Sequence, residues 1–317
     1  MVLGEAFQTQ ALLRLSNGPF TRAQAEAHGL PAHWLGTLVR RGLVSQVLFG
    51  VYVVGAHPET VEDKAACLAL ALPSGAAASR RTAAWLWGVD ARAPGEHTRS
   101  LALECTVPVG REPVRRPGLR CYVAPLDDED LTDIGRVPVT TPLRTAVDLL
   151  RWLPPHMGLG AADALAHAGL LVPAHLGDEI ERFRGSRGVA QARRLATLVD
   201  PRTESIGESW TKLRIADAGF PPPEPQIKLY DSHGREIYRL DMGYRHIRQA
   251  YEYDGEEFHT ERPDRTRDAK RREHIYRDWK WQIAPVGKAL ILGPSLAFER
   301  GVGEALGMAP KIHTRLW

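Results

Sequence analysis

Cysteine is scarce in this chain. Cys67, Cys105 and Cys121 are the only three in 317 residues, an odd number with no CxxC spacing. That argues against a disulfide framework or a structural zinc site, and fits a reducing cytoplasm. Long apolar runs are also missing, and none reaches the roughly 20 residues a spanning helix needs, so no membrane partner is expected. The opening stretch MVLGEAFQTQALLRL has an early Glu5 and no basic leader, so no signal peptide is expected either. Neither sign of charge is in large excess: 41 Lys and Arg stand against 38 Asp and Glu, a net +3. Such a balance permits nucleic-acid binding without establishing it, so local patches carry the argument.

The composition, 44% hydrophobic and 25% charged, is that of a soluble globular protein. The length suits two or three domains. The pattern divides the chain into residues 1–58, 59–198 and 199–317, and predicts a multidomain fold of the α+β or α/β class.

The first segment predicts a winged helix-turn-helix. Phe7, Ala11, Leu12 and Leu15 fall at helical spacing. Thr21 is placed to cap a helix over 22–28, and Gly29 ends it. A third helix over 32–41 closes at Gly42, and LVSQVLFGVYVV (43–54) predicts a hairpin turning near Gly50. Two short helices, a tight turn, a third helix and a hairpin form a duplex-docking arrangement. On the third helix His33, Trp34, Thr37, Arg40 and Arg41 are the groups available to a groove. A small cap that binds only protein is the competing reading.

Residues 60–92 are predicted helical, with one helix over 62–72 and a second over 76–88. Arg80 and Arg81 suit phosphates or a solvated face equally, and Trp85 and Trp87 suit a core. Strands are predicted between 100 and 136, then an amphipathic helix over 140–152 ended by Pro154-Pro155, then helices over 161–168 and 173–184. His156 and His167 stand alone, and no catalytic constellation is visible in this region. The basic stretch 185–200, with Arg187, Arg193 and Arg194, is read as a solvated face, with a basic helix entering the last domain as the alternative.

From residue 200 the predicted order is helix, strand, strand, strand, helix, strand. A helix over 205–218 carries Glu208. Strands over 226–230, 235–241 and 248–254 follow. On the last, Glu252 and Asp254 share a face, and Asp241 joins them if its strand pairs as a hairpin. Carboxylates so gathered repel unless a cation lies among them, which points to Mg2+ or Mn2+. Asp241, Glu252 and Asp254 are the candidate ligands. Glu208 is within reach from its helix, and His259 is a candidate to move a proton or hold a phosphate. A strongly basic helix over 262–276 comes next, and Arg265, Arg267, Lys270 and Arg271 are candidate phosphate-gripping groups. An ion-paired surface helix is the alternative.

Several stretches now add up to a resemblance: Glu208-Ser209, Lys212-Leu213-Arg214, Ala218-Gly219-Phe220-Pro221 and Gln226; Arg239-Leu240-Asp241; YEYDGEEFH (251–259); RTRDAKRRE (265–273); and Trp279. Together they resemble the DUF559 family, which is similar to very-short-patch repair endonucleases within the PD-(D/E)XK nuclease-like superfamily. The resemblance implies a restriction-endonuclease-like mixed sheet flanked by helices and metal-dependent cleavage of DNA. Glu208 then matches the helical acid, Asp241 the first aspartate and Glu252 the second acid, while Asp254 stands where the superfamily has Lys. The front resembles a different family. Residues 20–54, ASRRTAAWLWG (78–88) and VPVTTPLRTAVDLLR (137–151) resemble AbiEi-type antitoxin regulators. That likeness implies operator binding by the winged helix, with a cognate toxin or a second copy of the chain as further partner. Two functions are thus expected of a double-stranded DNA-binding protein: a metal-dependent endonuclease, or a transcriptional regulator whose nuclease-like domain serves binding.

Overall fold

The computed structural model describes residues 10–91, 102–115, 117–254, 262–315 and 317, with the side chains of 262–266 left out. The fold is mixed α and β, with three separate sheets. Its contacts form two compact units, Met1–Leu149 and Leu150–Trp317.

The first unit opens with a helix over 10–15 (α1), β1 (Phe20–Thr21), α2 (Arg22–Ala27), α3 (Ala32–Arg40), β2 (Val44–Leu48) and β3 (Val51–Val54). Thr21 caps α2 through a reciprocal box: its hydroxyl accepts from the Gln24 N–H at 3.3 Å, and Gln24 Oε1 accepts the Thr21 N–H at 2.8 Å. Such a cap contributes about 1 kcal/mol. The three strands pair antiparallel in the order β1-β3-β2. Ala11, Leu15, Phe20, Leu30, Leu35, Leu38 and Tyr52 fill the space beneath them.

Next come α4 (Val61–Ala71), β4 (Ala77–Ala78), α5 (Arg80–Leu86), β5 (Leu103–Val107), β6 (Leu119–Val123), β7 (Leu131–Ile134), β8 (Val137–Thr140) and α6 (Pro142–Trp152). The five strands lie in the order β6-β5-β4-β8-β7. Here the helix expected over 76–88 is corrected. Ala77–Ala78 form the central strand, paired to β5 on one side and β8 on the other. The helix begins only at Arg80, whose φ of 50° marks the change of direction. Alanine favours helix by intrinsic propensity, but Ala76, Ala77 and Ala78 are all buried, and pairing on two sides outweighs that preference. Trp87 donates to the Thr140 carbonyl at 3.0 Å, and both Trp85 and Trp87 pack on the core cluster, as a structural role requires.

The second unit contains α7 (Pro155–His167), α8 (Leu176–Glu181), α9 (Val189–Ala196), α10 (Ile206–Asp217), β9 (Glu224–Tyr230), β10 (Glu236–Tyr244), β11 (Gln249–Asp254), α11 (Arg262–Trp279), β12 (Gln282–Gly287), α12 (Lys288–Leu292) and α13 (Ala297–Leu306). Pro155 does not prolong a break. It opens α7, where its missing N–H and fixed φ fit the first helical position. Asp163 of α7 is buried and fully engaged: it accepts from the Asp200 N–H at 2.8 Å, from Ser209 Oγ at 2.7 Å and from Lys212 Nζ at 2.9 and 3.0 Å. Those bonds fasten α7 to α10. Arg214, also buried, pairs with Glu299 and donates to the carbonyls of Ile291 and Ser295, tying α10 to α12 and α13.

The sheet runs β12-β11-β10-β9, with β10 antiparallel to both neighbours and β11 parallel to β12. Successive residues of β11 serve opposite faces. Ala250 joins Ile227, Leu229, Leu240, Trp281 and Ile275 of α11. Tyr251 joins Trp210, Phe298 and Val302. Helices therefore cover both faces. Among the described residues no helix is long and apolar enough to cross a membrane.

Candidate functional site: an acid cluster and a basic helix

β10 and β11 are paired from Tyr244↔Gln249 to Met242↔Tyr251. One step further, the Asp241 carboxylate accepts the Tyr253 N–H at 2.9 Å. Asp241 thus sits inside β10, which continues to Tyr244, and not at the strand's end as the sequence suggests. Glu208 enters from the first turn of α10, capped by Ser205. A side chain at Gly207 would meet the Tyr253 ring at 2.0 Å, so the missing Cβ lets α10 lie close to β11 and brings Glu208 in.

The acids feel one another. Burial, then the Glu208 carboxylate and then Glu252, push Asp241 up to about 6, against the pull of the Tyr253 N–H and of Arg271. Burial also raises Glu208, whose Oε2 accepts from the Glu204 N–H at 3.2 Å and from Gln226 Nε2 at 2.9 Å. Glu252 is held by Arg271 of α11 in a bidentate pair, at 2.7 and 2.9 Å. Arg271 also donates to the Arg239 carbonyl at 3.3 Å, and the Arg239 guanidinium reaches Glu204 at 2.9 Å. A chain of contacts therefore runs Glu208–Glu204–Arg239–Arg271–Glu252 past Asp241.

Three of the four described acids expected here, Glu208, Asp241 and Glu252, are thus brought together. Asp254 is exposed at the end of β11. His259 lies outside the described residues, as does the side chain of Arg265. Among the described residues no group of three or more His, Cys, Asp or Glu side chains is set to hold a metal ion. The donor chemistry agrees: both Glu252 oxygens are taken by Arg271, and one oxygen each of Asp241 and Glu208 is taken by N–H donors. In this arrangement the counter-charge paired with Glu252 is the chain's own Arg271.

Arg267 and Lys270 are exposed on α11, where a phosphate backbone has access, and Arg271 is half-buried against Glu252. On α3, Leu35 and Leu38 face the core, His33 and Arg40 are exposed, and Trp34 and Thr37 are half-buried; Arg41 follows, exposed. Arg40 donates to Thr37 Oγ1 at 2.9 Å.

Some participants were not foreseen. A cavity of about 410 Å³ is lined by Arg202, Glu204, Glu224, Lys228, Arg239 and Arg245 among others. Gln226, with a φ of 51°, closes the resemblance motif and is the partner of Glu208. Its place in the motif was visible, but its role required the strand's geometry. Of the other basic residues, Arg81 pairs with Glu104 at 3.2 Å, Arg193 with Glu181 at 2.7 Å, and Arg194 with Asp217.

Residues 76–201 match the family model of the AbiEi antitoxin C-terminal domain. Two uncharacterized proteins of Mycobacterium tuberculosis, from strains CDC 1551 and H37Rv, are each 29% identical over 252 residues, covering 80% of this chain and 88% of theirs.

Proposed function

We infer that the chain is a DNA-binding regulator of the AbiEi antitoxin type, with the 10–54 module addressing duplex DNA and the C-terminal sheet serving binding and not hydrolysis. The match of residues 76–201 to the antitoxin domain carries this reading. Two features support it. The exposed His33, Arg40 and Arg41 accompany a core-facing Leu35 and Leu38 on α3, as a groove-reading helix requires. The acid cluster, in turn, is engaged by the chain's own donors. The partners on this reading are double-stranded DNA, an operator in the first place, and a cognate toxin or a second copy of the chain.

Fluorescence anisotropy with a labelled duplex taken from upstream of the protein's own gene tests the proposal. Saturable, salt-dependent binding is expected. Arg40→Ala combined with Arg41→Ala is expected to weaken it and to reduce the slope of log K against log salt by roughly 2, about one per lost phosphate contact. Equal affinity in the variant would remove the module from DNA recognition. Cleavage of the duplex in Mg2+ or Mn2+, abolished by Asp241→Ala, would replace the regulatory reading with the nucleolytic one.

A further inference from the structure

An acidic cluster of this kind needs a counter-charge, and the structure contains one. Arg271 presents both terminal nitrogens to both Glu252 oxygens, at 2.7 and 2.9 Å. This is the fork geometry in which a guanidinium binds carboxylate most strongly. Its second amino group also meets the Arg239 carbonyl on β10 at 3.3 Å, and its guanidinium lies 5.6 Å over the Tyr238 ring. One turn along α11, His274 accepts or donates at 2.8 Å to the Tyr238 hydroxyl, and its other nitrogen meets Asp278 at 2.9 Å. Arg271 is therefore held by two elements besides its own helix, β10 and β11. Glu252 is only 15% exposed, so it is poorly placed to find another partner in water.

We propose that Arg271 is the resident cation of the Glu208–Asp241–Glu252 cluster, an internal clasp that fastens α11 to the sheet and occupies Glu252 against divalent ions. The proposal does not depend on what the 10–54 module binds. It makes Arg271 a positioning residue: it sets the charge state in which the cluster is stable, and it fixes the face that α11 turns outward, with Arg267 and Lys270 exposed.

The test uses the full chain and Mn2+ alone, with the free-ion signal read by electron paramagnetic resonance. The wild-type protein is expected to leave the free Mn2+ signal unchanged. Arg271→Ala is expected to bind Mn2+ at least about tenfold more tightly, since an uncompensated carboxylate then seeks a cation. Adding Glu252→Gln to that variant is expected to abolish the gain. Thermal melts give an independent reading: Arg271→Ala should melt lower than wild type, and Mg2+ should raise the Tm of the variant alone. If Arg271→Ala does not fold, Arg271→Lys, which keeps a charge but loses the fork, should show a smaller gain of the same sign. Stoichiometric Mn2+ uptake by the wild-type protein that Glu252→Gln removes would overturn the proposal. So would the absence of any gain in the folded Arg271 variants.

Discussion

Asp241 of β10 and Glu208 of α10 meet as like charges: burial first, and then the Glu208 carboxylate, push the Asp241 pKa up to about 6. The folded protein thus holds this proton more tightly than the unfolded chain, whose aspartates titrate near 3.8. The stabilisation from protonated Asp241 is complete below about pH 4 and is lost as the pH rises through about 6. It amounts to about 3 kcal/mol at most. Asp241→Asn keeps an acceptor for the Tyr253 N–H and removes the charge. Urea denaturation from pH 4 to 8 is expected to show the variant gaining on the wild type across this window and exceeding it at the upper end. Parallel pH profiles for the two proteins would show that the coupling is absent.

His156 should behave in the opposite sense. Its ring stacks on Trp317 at 4.6 Å and meets Trp210 edge-on at 6.0 Å. Its Nδ1 is buried with no hydrogen-bond partner among the described residues. Burial, with Arg315 nearby, lowers its pKa from 6.5, so the neutral ring is the native form. Stability is therefore lost as the pH falls below about 6.5, where the unfolded chain takes up a proton that the folded one resists. His156→Phe preserves the stack and should remove that loss, measured as a flatter Tm between pH 7 and 5. A Tm that falls as steeply in the variant would place the acid sensitivity elsewhere.

The Asp163–Lys212 pair gives a third test. Lys212→Met leaves Asp163 with the Asp200 N–H and Ser209 but with no cation, inside a buried helix. Breaking such a pair costs about 3–5 kcal/mol. Pairing the change with Asp163→Asn should recover part of the loss, because the stranded charge is gone. Additive effects in this double-mutant cycle, read by urea denaturation, would show that the pair is not coupled.

How much of this was legible in the sequence depended on how local the cause was. The Thr21 cap and the Gly50 turn act within a few residues, and the helices and hairpin of 20–54 follow from them closely. β4 was not legible, because Ala77–Ala78 become a strand only through β5 and β8, which lie far away in the chain. At the site, the alternation along β11 placed Glu252, and the helical position of Glu208 brought it within reach. The pairing of Arg271 with Glu252 was out of sight. A run of basic residues shows charge, but which of them turns inward depends on the rotation of α11 against the sheet. The same limit applied to Asp254, whose shared face with Glu252 did not foretell its exposure at the end of the strand.

The Asp163 network also bears on where the chain can be cut. The antitoxin-domain match ends at residue 201, yet two of the three residues that bond to Asp163, Ser209 and Lys212, come after it. A fragment trimmed to the matched stretch would carry a carboxylate without its cation in the middle of a largely buried helix. Soluble expression should therefore require residues 150–317 to be kept whole, and a proteolytic nick between α9 and α10 would unravel more than a linker.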